Sequence, residues 1–282
     1  MLILVLNGLV YGSLLYVLSV GLVLIFGLRR VTNFAHGGLF MLGAYFGYAA
    51  SAIGGFWFGL LVSMVGLSIL GVVLDRLIFR PLQDRDPIST ILVTFGLLLV
   101  LEDGVRTIFG KDFIVMRAPP SLNGVVSLLG INFPSYRLFI IAVAILVAAI
   151  MASWLLKSRV GLYVRAASVD PVTTGILGVD TERLSMLVVA IGTGLAGLAG
   201  VVSAPLLALS PSMGSFILIE CFVVVVTGGL SSFTGAFIAA MLVGQAHNLG
   251  VAYFPALASL IPLLIMSAVL IVRPEGLVKG GH

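Results

Sequence analysis

The chain has 282 residues, 60% of them hydrophobic and only 9% charged, with a formal net charge of +4. Soluble domains carry roughly 25% charged residues, so this composition excludes a folded surface turned wholly to water. The basic excess is scattered over short connecting loops, which excludes the clustered cations of a nucleic-acid-binding face.

Residues 1–28, 138–156 and 184–219 contain no charged side chain. A bilayer crossing takes about 20 predominantly apolar residues. The first run has no basic residue before it and is too long for the core of a secretory signal, so it reads as a membrane span. Apolar runs between charged breaks place further spans at 35–53, 56–74, 88–109, 137–156, 184–208, 215–229, 235–252 and 256–272. The stretch GGLSSFTG interrupts 215–252, so one piece there is open to a re-entrant reading. The expected fold is all-α: one polytopic transmembrane domain over 1–282, with eight or nine crossings.

Arg29 and Arg30 close the first span, and Thr32 or Asn33 is placed to cap the next. His36 then falls in the first turn of a membrane helix. An ionisable residue there is a functional hypothesis by default. The other reading is a neutral imidazole bonded to a backbone carbonyl, steadying the helix entry before Gly37 and Gly38. His247 and His282 form no metal-ligand spacing with it, so no metal site is expected.

Glu102 and Asp103 each share a helix face with Arg106, which predicts an ion pair within the helix near the outer surface, the other reading being the lining of a polar cavity. Residues 110–136, with Pro119, Pro120, Asn123 and Gly124, form a loop too polar and broken to cross. The longest loop of the opposite side is 157–183. Within it Asp170 can cap a helix with Pro171 at its first position, and Gly178 can end it. A helix of about two turns cannot stand alone in water. It needs support from this chain's inner face or from a partner.

IGTGLAGLAG, residues 191–200, matches the G-x-G-x-x-G turn of dinucleotide-binding folds at Gly192, Gly194 and Gly197. Such a turn follows a strand in a βαβ unit. Here it lies inside a charge-free run, where a pyrophosphate would sit in hydrocarbon. Gly192, Ala196 and Gly200 instead recur every four residues, a small-residue face for close helix packing. Gly8 and Gly12 repeat that spacing.

Glu220 is a lone acid at the head of an apolar run, placed either to reach the outer interface or to face a translocation path. Gln245, His247 and Asn248 give the eighth span a polar end. Cys221 stands alone, which excludes an intramolecular disulfide and a cysteine-based zinc site. The chain shows no nucleophile–base–acid set, no G-x-x-x-x-G-K-[ST] loop and no paired carboxylates, so no catalytic residues are assigned.

Cations set the orientation, because short cytoplasmic loops carry their excess. Arg29, Arg30, Arg76, Arg80, Arg85, Lys157, Arg159, Arg165, Arg183, Arg273 and Lys279 fall on one side, eleven of the fifteen. That side is predicted cytoplasmic, with the C-terminus inside and, for nine spans, the N-terminus outside.

NFAHGGLFMLGAY resembles a motif of the permease subunits of bacterial branched-chain amino acid ABC importers, specifically the type bearing Asn-Phe-Ala-His-Gly, here Asn33 to Gly37. NGLVYGSLLYVLSVGLVLIFG, RAASVDPVTTGILGVD, VVVVTGGLSSFTGAFIAAMLVG and LIVRPEGL resemble the family's first span, cytoplasmic loop, C-terminal third and tail. Thr174 stands where the family usually has alanine, and Ser231 where it usually has glycine.

The resemblance implies a non-catalytic permease that binds no cofactor, with ATP-Mg held by two separate cytoplasmic ATPase subunits. It implies that 165–180 is the coupling helix they grip, through Arg165, Ala166, Ala167, Asp170, Thr174 and Gly178. It implies a second, related permease and a periplasmic substrate-binding protein, in the bacterial inner membrane. Asn33, Phe34, His36, Gly37 and Glu220 become candidates for the translocation path or its gate. The alternative is a stand-alone secondary transporter or channel, for which the faint likeness of GLRRVTNFAHGGLFMLGAY to TGGLSSFTGAFIAAMLVG would be an internal repeat.

Overall fold

In hydrocarbon every backbone N–H and C=O must be paired within the chain, so apolar runs of this length become helices. The computed structural model describes residues 1–83, 85–128 and 130–278. Lys279 and His282 of the sequence reading lie outside them. Helix α1 spans Leu2–Arg29, α2 His36–Leu74, α3 Arg80–Leu82, α4 Pro87–Phe109 and α5 Ser135–Lys157. Then follow α6 Arg159–Val169, α7 Pro171–Ile176, α8 Thr181–Ser203, α9 Met213–Gly228, α10 Phe233–Tyr253 and α11 Ile261–Val272.

Six helical runs are long and apolar enough to cross a membrane, and α9 and α11 are shorter apolar helices. The run from α2 through α3 is 47 residues, about twice what one crossing needs. It folds back on itself. Gly55 has φ 77° and ψ −179°, a conformation open to glycine and strained for other residues. Beyond it, Ser63 Oγ donates to Gly43 O at 2.8 Å, which sets the two arms side by side. The sequence break between 53 and 56 is this reversal.

α1 is the hub. Along most of its length it is enclosed by α8, α10, α5 and α9. α8 packs against both arms of α2. A five-residue π-helical stretch, Asp75–Phe79, joins α2 to α3. Asp86 caps α4 by accepting from Ser89, whose hydroxyl first and N–H second hold its carboxyl below the usual range.

Residues 110–136 do not cross, but they are not structureless. Val125–Leu128 (β1) and Ile131–Pro134 (β2) pair antiparallel with Val125 opposite Pro134. Ile114 pairs with Leu209 across the 204–212 connection. That connection also ends α8 at Ser203, short of the expected 208.

Candidate functional site

After α1 the chain leaves the helix for residues 30–35. Arg30 takes φ 51° and ψ 23°, and its N–H bonds Phe26 O. Asn33 Oδ1 accepts from Ala35 N at 3.0 Å, closing the link locally as an Asx turn. Thr94 Oγ1 donates to Thr32 O. His36 is fully buried, with Nε2 3.0 Å from Leu18 O on α1, so its ring bonds a backbone carbonyl. Asn33 Nδ2 and His36 Nδ1 have no hydrogen-bond partner among the described residues. Tyr45 Oη, Thr227 Oγ1 and His247 Nδ1 are in the same state elsewhere, so this feature is not confined to the link.

Phe34 packs against Phe222 at 4.8 Å with the rings tilted by 31°, and meets Phe95 edge-on at 6.5 Å. Gly37 lies against the start of α9: a Cβ there would collide with Gly214 O. The first turn of α9 has N–H groups without helical partners, and one of them, Ser215 N, is satisfied from α4. Glu102 Oε1 accepts from Ser215 N at 3.0 Å and Ser215 Oγ at 2.6 Å. This corrects the expected helical pair. Among the described residues no ion pair joins Glu102 or Asp103 to Arg106. Glu102 is buried toward α9, whereas Asp103 and Arg106 are exposed.

Lower on α9, Glu220 accepts from Tyr11 Oη of α1 and lies 3.9 Å from His247 Nδ1 of α10. The Tyr11 and His247 rings stack at 4.6 Å. Glu220 is therefore packed into a three-helix contact rather than reaching alone to an interface. Tyr11, His247, Asn7 and Arg137 line a cleft of about 280 Å³. Arg137 Nη1 donates to Asn7 Oδ1. Gln245 Nε2 and Asn248 Nδ2 bond Val5 O and Leu4 O, tying the end of α10 to the start of α1. At the opposite end of α9, Leu277 N and Val278 N donate to Thr227 O and Gly228 O, so the tail clasps the end of that helix.

Where α1 ends, a charged network forms that sequence spacing does not disclose. Arg29 is almost wholly excluded from the surface and bonds both oxygens of Asp75. Its Nη1 also donates to Gln83 Oε1 at 2.7 Å and to Glu182 Oε2 at 3.3 Å. Arg80 Nε joins the same Glu182 oxygen at 3.1 Å. Asp75 begins the π-helical stretch, a distortion frequent at functional sites. No local pattern links residues 46 positions apart, so only the fold brings them together.

Segment 157–183 holds two helices where one was expected. α6 is amphipathic, burying Gly161, Val164 and Ala167, and Ser158 caps it. Arg165, Ala166 and Ala167 thus lie on α6. Asp170 caps α7, accepting from Val172 N and Thr173 N at 3.0 Å each. The Thr173 hydroxyl, then the Thr173 N–H, hold its carboxyl below the usual range. Thr174 faces inward, 5% exposed, with its hydroxyl on Asp170 O. α7 ends at Ile176, and Gly178 follows at φ 90°. The other face of this turn is bare: Val172, Ile176 and Leu177 are 71%, 80% and 78% exposed. A groove of about 710 Å³ runs beside it, lined by Tyr163, Ala166, Leu177, Gly178 and Arg183 among others.

On α8 the glycines meet backbone. Gly192 lies against Gly21 O and Ile25, Gly197 against Ser63, and Gly200 against Phe40 O and Ala44 N, with Ala196 fully buried between. Among the described residues α7 and its turn, not a strand, lead into α8, so the dinucleotide pattern has no βαβ context. Gly12 and Gly244 make a second such approach between α1 and α10. Among the described residues no group of three His, Cys, Asp or Glu side chains could hold a metal.

The family described as "Branched-chain amino acid transport system / permease component" matches residues 4–270. The chain is 25% identical to the high-affinity branched-chain amino acid transport system permease protein BraD of Pseudomonas aeruginosa, covering 96% of this chain and 93% of that one. It is 25% identical, at the same coverage, to the permease protein LivH of Escherichia coli. It is 26% identical to the probable branched-chain amino acid transport permease protein LivH of Methanocaldococcus jannaschii, covering 96% and 90%. No solved structure matches significantly.

Proposed function

We infer the function from membership: the chain belongs to the permease-component family of branched-chain amino acid transport systems, and it is a multi-pass membrane permease. It forms half of a translocation path and is not an enzyme in its own right. The solute is a branched-chain amino acid or a similar small amphipathic molecule, as the names of its relatives suggest. The second half is a related permease. A periplasmic substrate-binding protein delivers solute, and two cytoplasmic ATPases hold the ATP-Mg that drives the cycle, no cofactor being bound by this chain. A stand-alone transporter is the weaker reading, since the relatives are named as permease components of transport systems.

The observation that carries the partner reading is α7. A six-residue helix with Val172 and Ile176 bare, and Leu177 bare just beyond it, is not stable by itself in water, and a helix laid in a partner's groove gains the packing it lacks. The supporting set is Arg165, Ala166, Asp170 and Gly178, with Ala167 and Thr174 acting from inside.

We count the two arms of α2 as separate crossings, and α9 and α11 as short ones, for nine in a bacterial inner membrane. Arg29, Arg30, Arg80 and Arg183 gather at one end, whereas Arg137 meets Asn7 at the other, which supports a cytoplasmic C-terminus. The link at Asn33, Phe34, His36 and Gly37, with Glu220, is the proposed gate. Its support is the non-helical backbone at 30–35 and its close approach to α1 at Leu18 O and to α9 at Gly214. Purification of the tagged chain from its native membrane tests the assembly. Co-elution of an ATPase pair, and ATP hydrolysis raised by a branched-chain amino acid with its binding protein, is expected. Uptake by the isolated chain in liposomes would overturn it.

A further inference from the structure

Two consecutive side chains at the end of α1 hold the two flanks of α7. Arg30 Nη2 donates to Ser168 O at 3.2 Å and Val169 O at 3.3 Å, where α6 ends and the chain enters α7. Arg29 reaches Glu182 Oε2 through Nη1 at 3.3 Å and Nη2 at 3.4 Å, in the first turn of α8, where the chain has left α7. Residues 170–181, with α7 among them, therefore hang from one point of α1.

That point is built to stay fixed on one side and to yield on the other. The Arg29 fork is locked by both oxygens of Asp75 and by Gln83, and the side chain is 1% exposed. Guanidinium donors lie in one rigid plane, so the fork holds direction as well as distance. The Arg30 bonds are exposed and end on carbonyl groups, so water can replace them.

The backbone changes character at the same place. Arg30 is the one non-glycine residue at positive φ among those described. Such conformations persist only where the surroundings impose them, and they cluster at moving parts. Immediately beyond it the chain runs non-helically to His36, which is buried against Leu18 O. One position thus joins the α7 loop, the end of the central helix and the buried link.

We propose that Arg29 and Arg30 are positioning residues that carry movement of α7 into the membrane. Arg29, seated on Asp75, is the firm link, and Glu182 is the residue through which the α7 loop drives it. Arg30 is the releasable catch on α6. A push on α7 turns about this pair and shifts the end of α1 together with residues 31–35. This rests on the reading of α7 as the ATPase contact.

The test uses the complete complex in liposomes, with both permeases, both ATPases, the binding protein and leucine. Arg30→Asn tolerates the left-handed backbone and removes the catch, while Arg30→Lys keeps a donor for the two carbonyls. The Asn variant is expected to keep its ATPases and its melting temperature, while leucine uptake per ATP hydrolysed falls about fivefold or more. The Lys variant recovers most of that ratio. An unchanged ratio in Arg30→Asn overturns the proposal, as does a Lys variant equally uncoupled. Loss of the ATPases from Arg30→Asn also overturns it, because Arg30 would then act on the partner's surface. The underlying reading fails separately: Ile176→Asp that leaves the ATPases bound removes α7 as the contact whatever Arg30 does.

Discussion

Arg29 grips Asp75 with two parallel bonds, Nε to Oδ1 at 2.9 Å and Nη2 to Oδ2 at 2.6 Å, both side chains almost wholly buried. Removing one member of a buried pair leaves the other charge without compensation. Asp75→Asn is expected to cost about 3–5 kcal/mol, read as denaturant-induced unfolding in detergent. Replacing both, as Arg29→Met with Asp75→Leu, should recover much of the loss. A cost of about 1 kcal/mol or less, the range of an exposed pair, would contradict the geometry.

The capping of α9 from α4 gives a second outcome. Glu102→Ala removes the acceptor of Ser215 N and Oγ and should cost about 1–3 kcal/mol, the penalty of a buried donor left unpaired. Glu102→Gln keeps an oxygen there and should cost less. Arg106→Ala should stay within about 0.5 kcal/mol. Equal losses in Glu102→Ala and Arg106→Ala would restore the pair within the helix.

Close packing is tested by contrasting glycines. Gly37→Ala drives a methyl into Gly214 O and Leu218 Cβ, an overpacking expected to cost about 1–3 kcal/mol. Gly96→Ala on α4 meets nothing within 4 Å and should be neutral, or stabilising by up to about 1 kcal/mol through helix propensity. Melting of the two variants in one detergent decides it, and equal melting would contradict the contact.

Val172→Asp and Ile176→Asp alter side chains that this chain leaves bare. Melting of the isolated permease should not change, while pull-down of the ATPases by the tagged permease is lost. Retained ATPases would move the docking surface elsewhere.

The Asp170 carboxyl is held below its ordinary range, first by the Thr173 hydroxyl and then by the Thr173 N–H. A depressed carboxylate contributes stability above its unfolded pKa and loses it as pH falls through the lower, folded value. Amide protection of Val172 and Thr173 should therefore hold through neutral pH and fall only under acid conditions, below about pH 4. Loss of protection between roughly pH 6 and 8 would show that another group controls the helix.

The long apolar helices were legible because lipid imposes one rule on every backbone group, and a charge-free run obeys it wherever it sits. The reversal at Gly54 and Gly55 was legible as a break between two apolar runs. α6 was not, because 159–169 carries Arg159 and Arg165 on the open side of an amphipathic turn and reads as loop. The Glu102 reading failed for a related reason: helix spacing ranks the nearest cation first, but the buried face turned that carboxylate to the end of another helix. Arg29 was legible as an orientation marker, whereas Asp75 and Glu182 around it were not. Tyr11 beside Glu220 went unread because a tyrosine in a charge-free span gives no local signal.

α1 has a further consequence for how the molecule is made. It is the earliest of the described helices to leave the ribosome, yet α10, among the last, covers it and supplies the Gln245 and Asn248 bonds to Val5 and Leu4. Until then the surface meant for α10 must wait in bare lipid. A nascent chain halted before Phe233 would present that unfinished flank to the proteases that survey membrane insertion.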